Sequence, residues 1–260
     1  MKIDLDKYYT DKNIAKHCID TFWRKCFGVT EIIEPSAGSG NFSLQIPNCI
    51  AYDLEPEHES IIRQDFLELD LPYKQGRAFI GNPPFGTRNT LSVKFFKHAI
   101  KMCDMVAFIL PVSQYNNNQQ MYEFDLTHSE VLPLVEYSGR KLLCCFNIYH
   151  RPKNGMLNKS ATNYKLNDVT VTEYRRGGTY PKPKKYDFGM CAWGNVGKEV
   201  KEVGQFAQEN YILINNEQYR DEIINVISKT DWKQLYPCIS TPKIQTWKIY
   251  KYLKEQIPAL

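Results

Sequence analysis

Residues 31–42 read EIIEPSAGSGNF, a short apolar run closed by Glu34 and Pro35 and followed by two glycines one residue apart. The run predicts a strand, and Gly38 and Gly40 let the backbone turn tightly at its end and approach a ligand closely. A dinucleotide-binding fingerprint wants a third glycine three residues beyond Gly40, and that position is Ser43. Glu34, able to organise an ammonium group through hydrogen bonds, favours a zwitterionic ligand over a pyrophosphate. A plain turn is the alternative for so short a motif.

Upstream, apolar or aromatic residues at 14, 15, 18, 19, 22 and 23 have helical spacing, which predicts a helix over 11–26 capped by Asp11 or Thr10. Downstream, further strands are expected at 49–54, near 64–67, at 78–82 and at 105–112, with a helix over 90–103. The runs VLPLVEY (131–137) and LLCCFNIY (142–149), separated by SGRK, look like a closing antiparallel pair. Short strands alternating with helix-like segments predict an α/β fold with a parallel sheet.

The texture changes at Arg151, where RPKNG breaks the pattern and Tyr- and Lys-rich segments follow. This places a boundary at 150, giving a first domain over 1–150 and an extension over 151–260. The extension has candidate strands at 169–174, 188–193 and 211–215 and helices near 220–228 and 242–255. NNNQQ (116–120) reads as a mobile polar loop.

The 260 residues suit one large domain plus an appendage, and 43% apolar with 24% charged residues is an ordinary globular balance. The longest apolar run, Met105–Val112, falls far short of the roughly 20 residues that span a bilayer. The amino terminus mixes acids with lysines and lacks a signal-peptide pattern, so a cytoplasmic location is expected. Eight scattered cysteines with no C-x-x-C pair read as reduced thiols. Cys144 and Cys145 should face opposite ways along a strand, and no metal site is expected. The net charge of +4 is uneven: residues 139–190 carry 11 Lys+Arg against 3 Asp+Glu, whereas 1–138 carry 13 against 18.

Three further motifs carry chemistry. AYDLEP (51–56) puts Asp53 at a strand end, where a carboxylate can accept both hydroxyls of a ribose or serve as a solvated helix cap. In QDFL (64–67), Asp65 can accept from an exocyclic amine and Phe66 can stack on a purine, although the pair is nearly uninformative alone. In GNPPFG (81–86), Pro83 and Pro84 stiffen the backbone and remove two amide donors, so carbonyls and the Asn82 side-chain oxygen face outward as acceptors. That corner suits a planar NH2 group, and Phe85 supplies a face for a base taken out of a helix.

In these motifs and their order, residues 8–150 resemble the amino-group S-adenosylmethionine-dependent methyltransferases, and within them the DNA adenine-N6 enzymes. The resemblance implies a Rossmann-like class I methyltransferase fold: a mainly parallel seven-stranded sheet with helices on both faces, plus a smaller carboxyl-terminal extension for target recognition. It implies that Tyr8-Tyr9-Thr10 covers the methionine end of the cofactor. It also implies that Glu34, Ser36, Gly38 and Gly40 line the methionine part, that Asp53 holds the ribose, and that Asp65 and Phe66 hold the adenine. Asn82, Pro83, Pro84 and Phe85 would form the catalytic pocket. Asp11 stands where a proline commonly follows the threonine, and Arg77–Phe85 lacks the aspartate that many members carry before the motif.

The expected activity is methyl transfer from S-adenosylmethionine to adenine N6 in DNA, in a bacterial modification system or a mobile element. Alternatives are the same chemistry on structured RNA, glutamine-N5 methylation of protein, and a catalytically dead nucleic-acid-binding subunit. Arg175, Arg176, Lys182, Lys184 and Lys185, interleaved with Tyr164, Tyr174, Tyr180 and Tyr186, read as a phosphate-contacting surface or as a solubilising loop.

Overall fold

The computed structural model describes residues 9–137, 140–179, 181–239 and 241–260; Tyr8, Ser138, Gly139 and Tyr180 lie outside them. The chain divides into two compact units, 1–162 and 163–260.

In the first unit, Asp11 caps α1 (Lys12–Lys25) by accepting the amides of Asn13 at 2.8 Å and Ile14 at 3.3 Å. There follow β1 (Glu31–Glu34), β2 (Ile50–Asp53), β3 (Ile62–Arg63), β4 (Arg77–Gly81), α2 (Thr90–Ala99), β5 (Met105–Pro111) and β6 (Asp125–Val131). A two-stranded hairpin of β7 (Val135–Tyr137) and β8 (Arg140–Leu142) precedes β9 (Cys144–His150). The main sheet has the order β3-β2-β1-β4-β5-β9-β6, parallel from β3 through β5, with β9 antiparallel to both neighbours. This is a Rossmann-like class I methyltransferase fold.

Period-two alternation divides the sheet's side chains between two cores. Ile32, Ala78, Ile80, Met105, Ala107 and Ile109 pack with Ala15, Cys18, Ile19 and Phe22 of α1. Ile33, Phe79, Val106, Phe108 and Leu110 pack with Phe95, Phe96 and Ala99 of α2. Helices therefore cover both faces, and each large apolar side chain so buried contributes about 1.5–3 kcal/mol. Cys144 belongs to the first core and Cys145 to the second, so the adjacent thiols do point apart.

Two expectations are corrected. The strand near 64–67 is instead the two-residue β3, and residues 66–68 form a single 3-10 turn capped by Asp65, whose Oδ1 accepts the Leu67 amide. The link from β1 to β2 contains another such turn, Ser43–Gln45. The run at 142–149 meets 131–137 only at its start, with Val135 opposite Leu142 and Val131 opposite Cys145, and otherwise pairs with β5 and the rest of β6. Edge strand β6 alternates Asp125, Thr127 and Ser129 with its other residues, so its apolar signal is weak. Asn116–Gln120 is tied by hydrogen bonds, among them Gln114 Nε2 to Gln120 Oε1 at 2.7 Å and the Asn116 amide to Ser129 Oγ at 2.8 Å.

Residues 151–162, beyond the compositional break, stay with the first unit. The Arg151 guanidinium donates to the carbonyls of Ile100 at 2.6 Å and Cys103 at 2.8 Å, and Asn158 donates to the Tyr122 carbonyl at 3.0 Å. The second unit is an antiparallel sheet of β10 (Val169–Arg175), β11 (Phe188–Cys191) and β12 (Gln208–Ile214), with β12 central. Helices α3 (Arg220–Lys229), α4 (Trp232–Leu235) and α5 (Thr246–Gln256) share its core through Ile223, Ile227, Trp232, Ile249 and Leu253. Among the described residues no helix is long and apolar enough to cross a membrane.

Candidate active site

Strand order reverses at β1 and β4: the chain runs outward from β1 to β2 and β3, then returns to the other side of β1 to lay down β4. In open α/β sheets, ligands bind beyond the carboxyl ends of strands at such a switch point. EPSAGSG begins at the end of β1 and NPPFG at the end of β4, so the topology joins two motifs 42 residues or more apart. A cavity of about 280 Å³ lies there. Thr10, Glu34, Ser36, Gly38, Asp53, Asp65, Phe66, Asn82, Pro83, Pro84 and Phe85 all border it. Gly40 does not line the cavity; it shapes the turn behind it. Its φ is +83°, its amide donates to the Ala37 carbonyl at 2.7 Å, and a Cβ there would stand 2.9 Å from Leu44 Cγ.

Asp53 is the electrostatic anchor of the turn. Its Oδ2 accepts the Gly38 amide at 2.7 Å and its Oδ1 the Glu55 amide at 2.8 Å. A carboxylate has about four acceptor positions, so each oxygen retains capacity for one further donor. Gly38, at φ +53°, brings its amide to that carboxylate, and Tyr9 lies against it: a Cβ at 38 would meet Tyr9 Cε1 at 3.5 Å. Asn41 Nδ2 donates to the Thr10 carbonyl at 2.8 Å and so ties the segment before α1 to the turn.

Glu34 is nearly fully buried at the end of β1, and its Oε2 accepts the Ser43 amide at 2.8 Å. Burial pushes its carboxyl up to about 8, against the opposing pull of the Ser43 hydrogen bonds. The folded state therefore holds a proton that the unfolded state releases near pH 4.5, so this group's stabilising contribution is full below that pH and is lost as pH rises through about 8. Glu34→Gln should remove a slope of about 1.4 kcal/mol per pH unit across that window. Thermal melts of both proteins at pH 5 and pH 8.5 check this: the variant should gain on the parent only at the higher pH.

The corner after β4 is held from behind. Ser36 Oγ donates to the Asn82 carbonyl at 3.2 Å, Ser92 Oγ to the Pro84 carbonyl at 3.2 Å, and the Leu91 amide to the Phe85 carbonyl at 3.1 Å. Among the described backbone bonds none ends on the Pro83 carbonyl. Gly86, Arg88 and Asn89 then adopt positive φ values of +66°, +54° and +66° before α2 begins. For non-glycine residues such a conformation costs about 1–3 kcal/mol each. Asn89 is buried and donates through Nδ2 to Ser113 Oγ at 3.2 Å, which helps to hold it.

Phe66 is a core residue as well as a cavity wall, with ring centroids 5.3 Å from Phe79 and 5.0 Å from Phe95. Asn41, Leu91 and Phe95 were not singled out in the sequence, although they also line the cavity. The last two read only as the apolar face of a helix, and nothing in the sequence distinguishes that face from ordinary core.

The five basic residues singled out lie in the second unit and differ in kind. Arg175 Nε pairs with Glu173 Oε1 at 2.7 Å, and Arg176 Nη2 donates to the carbonyls of Gly204 and Gln205 at 2.5 and 2.7 Å. Lys182, Lys184 and Lys185 are exposed. Of the interleaved tyrosines, Tyr174 is buried and Tyr186 packs on Tyr211, so neither is a projecting ring. Among the described residues no group of three or more His, Cys, Asp and Glu is placed to hold a metal ion.

No protein-family model matches the chain, and no curated protein matches it. Solved structures similar to it include a proposed RNA methyltransferase from Pyrococcus horikoshii, with TM-score 0.46 and 16% identity over 58% of this chain and 89% of that one. Another is a modification subunit of a proposed type I restriction enzyme from Vibrio vulnificus, with TM-score 0.45 and 12% identity over 71% of this chain and 50% of that one. A third is magnesium protoporphyrin IX methyltransferase from Synechocystis with bound S-adenosylmethionine, with TM-score 0.37 and 7% identity over 54% and 79%. At TM-scores below 0.5 the fold assignment rests on strand order rather than on these likenesses.

Proposed function

We propose that the cavity holds S-adenosylmethionine beside an extruded adenine, and that the protein methylates adenine N6 in DNA. The observation that carries this reading is the convergence of Asp53 and the Asn82–Phe85 corner on one cavity at the switch point of the sheet. The donor set fits the cofactor: the remaining acceptor capacity of Asp53 suits two ribose hydroxyls, and Phe66 and Leu67 give an apolar wall for the base. Glu34 suits the ammonium end, where a cation would draw its buried carboxyl into the charged form.

When bound, the cofactor supplies an electrophilic methyl group on a sulfonium. The lone pair of an aromatic amine is delocalised into its ring, which makes the amine a poor nucleophile. Asn82 Oδ1 and the Pro83 carbonyl would accept its two N–H bonds and favour a pyramidal nitrogen with a localised lone pair. Phe85 stacks on the extruded base. Placement supplies most of the rate, and the two acceptors add electrostatic stabilisation. Titration calorimetry with S-adenosylmethionine should give one saturable site that is lost on heat denaturation; absence of binding by the folded protein overturns the reading.

The exposed Lys182, Lys184 and Lys185 supply phosphate contacts in this account. Replacing all three with Gln should weaken duplex binding and lower the slope of log K against log salt by about 3, at roughly 0.9 per phosphate. Filter binding at several salt concentrations reads both quantities. Unchanged slopes count against that surface.

A further inference from the structure

After Phe85 the chain leaves the wall of the cavity and returns to it at Leu91, since both residues line it. The Leu91 amide donates to the Phe85 carbonyl at 3.1 Å, which ties the two ends together and makes residues 86–90 a closed loop. Thr87, Arg88 and Thr90 on that loop are exposed, and Arg88 is its midpoint in sequence. An exposed residue midway along a loop whose two ends are cavity wall stands at the rim. The loop is anchored beside it: Asn89, buried, donates through Nδ2 to Ser113 Oγ at 3.2 Å, and its amide donates to the Gly86 carbonyl at 3.3 Å. Arg88 itself has left-handed backbone, with φ +54° and ψ +37°. That conformation is unfavourable for a residue with a Cβ and persists only where the surroundings fix it, so the guanidinium is presented from a fixed base.

The charge of Arg88 is out of keeping with what lies behind it. The charged side chains that line the cavity, Glu34, Asp53 and Asp65, are all acidic. Residues 1–138 carry 13 Lys+Arg against 18 Asp+Glu, so this part of the chain does not by its overall charge draw in a polyanion. Among the described residues no carboxylate lies within ion-pair distance of Arg88, which leaves its five donors to solvent or to a ligand. A nucleotide taken out of a helix stays joined to its strand, so the phosphodiester groups on either side of it come to the mouth of the pocket that takes the base. An arginine fork matches two phosphate oxygens at once.

We propose that Arg88 binds a phosphodiester group next to the extruded adenine and holds the strand at the rim while the base occupies the cavity. This rests on the nucleic-acid reading given above and adds to it the residue that fixes the reacting nucleotide. Its part differs from that of Lys182, Lys184 and Lys185. Those lysines belong to the second unit and attract the polymer as a whole, whereas Arg88 belongs to the loop that joins the Asn82–Phe85 corner to α2.

The test uses the full chain, a labelled hairpin RNA and a labelled mixed-sequence DNA duplex carrying mismatched adenines, whose bases leave the stack cheaply. Filter binding is read at several salt concentrations. Arg88→Gly removes the guanidinium where glycine takes the backbone without strain, so it should melt close to the parent. It should bind the duplex about tenfold more weakly, with the slope of log K against log salt lowered by about 0.9. Arg88→Lys keeps the charge without the fork and should keep the slope while regaining only part of the affinity. Lys101→Gln removes an exposed charge beyond the far end of α2 and should leave affinity and slope at the parental values. In methyl transfer the Gly variant should raise the KM for DNA about tenfold and leave S-adenosylmethionine affinity unchanged. Should it fail to fold, Arg88→Asn gives the same reading, because asparagine tolerates left-handed backbone. A folded variant with parental affinity and slope overturns the contact and leaves the methyltransferase reading intact, and so does an equal loss in Lys101→Gln. Binding to the RNA hairpin alone, with the same dependence on Arg88, keeps the contact and overturns the choice of DNA. A parent protein that takes up S-adenosylmethionine but binds neither polymer overturns the contact and the nucleic-acid reading together.

Discussion

Replacing Asn82 with Ala should lower kcat by about a thousandfold, the size of effect seen when one preorganised polar group is removed from a developing charge. S-adenosylmethionine binding should stay within about threefold of the parent, because the residues proposed to hold it sit on other loops. The corner should survive the change. Its backbone is fixed by Ser36, Ser92 and the Leu91 amide, which bond to the carbonyls of Asn82, Pro84 and Phe85 and not to the Asn82 side chain. Asn82→Asp keeps an acceptor oxygen and should lose less activity than the Ala variant. Single-turnover assays under saturating cofactor separate the two steps. Near-parental turnover in Asn82→Ala would contradict the proposed role.

The second large effect is at Asp53, and it should appear in binding rather than in turnover. Hydrogen bonds to charged groups are worth about 1.5–3 kcal/mol each. Loss of two ribose contacts in Asp53→Ala should therefore weaken S-adenosylmethionine binding by at least a hundredfold, at 1.4 kcal/mol per tenfold. The same change orphans the Gly38 amide, which Asp53 Oδ2 accepts at 2.7 Å, so the turn that faces the ligand loosens as well. Asp53→Asn keeps one acceptor oxygen and should fall between parent and Ala variant. Calorimetry measures all three, and an Ala variant within threefold of parent would remove Asp53 from the proposed site.

The parts of the fold that were legible in the sequence are those whose signal is local. Central strands covered on both faces give unbroken apolar runs, and EIIE, RAFIG and MVAFILP all become strands within a residue or two of expectation. The cap at Asp11 and the positive φ of Gly38 and Gly40 follow from side-chain and backbone chemistry alone. Strand β3 escapes because two residues carry no period, and β6 because an edge strand places polar side chains along its length. Pairing between β9 and β6 is a tertiary choice that the intervening β7–β8 hairpin obscures.

The candidate site divides in the same way. Short motifs at strand ends announce Asp53 and Asn82, whereas Leu91 and Phe95 become cavity wall only because the loop after Phe85 turns α2 toward it. Arg88 looks in sequence like an ordinary loop charge. Only the closure of its loop between Phe85 and Leu91 reveals that it stands at the rim of the cavity.

The most direct measurement is mass analysis of nucleosides after incubating the protein with isotopically methyl-labelled S-adenosylmethionine and a mixture of DNA and RNA. Labelled N6-methyldeoxyadenosine, present with the parent protein and absent with Asn82→Ala, is the predicted result. Label on any atom other than an adenine N6, or no label in any nucleoside from active, cofactor-bound protein, would contradict the central claim, and label confined to N6 of RNA adenosine would contradict the choice of DNA.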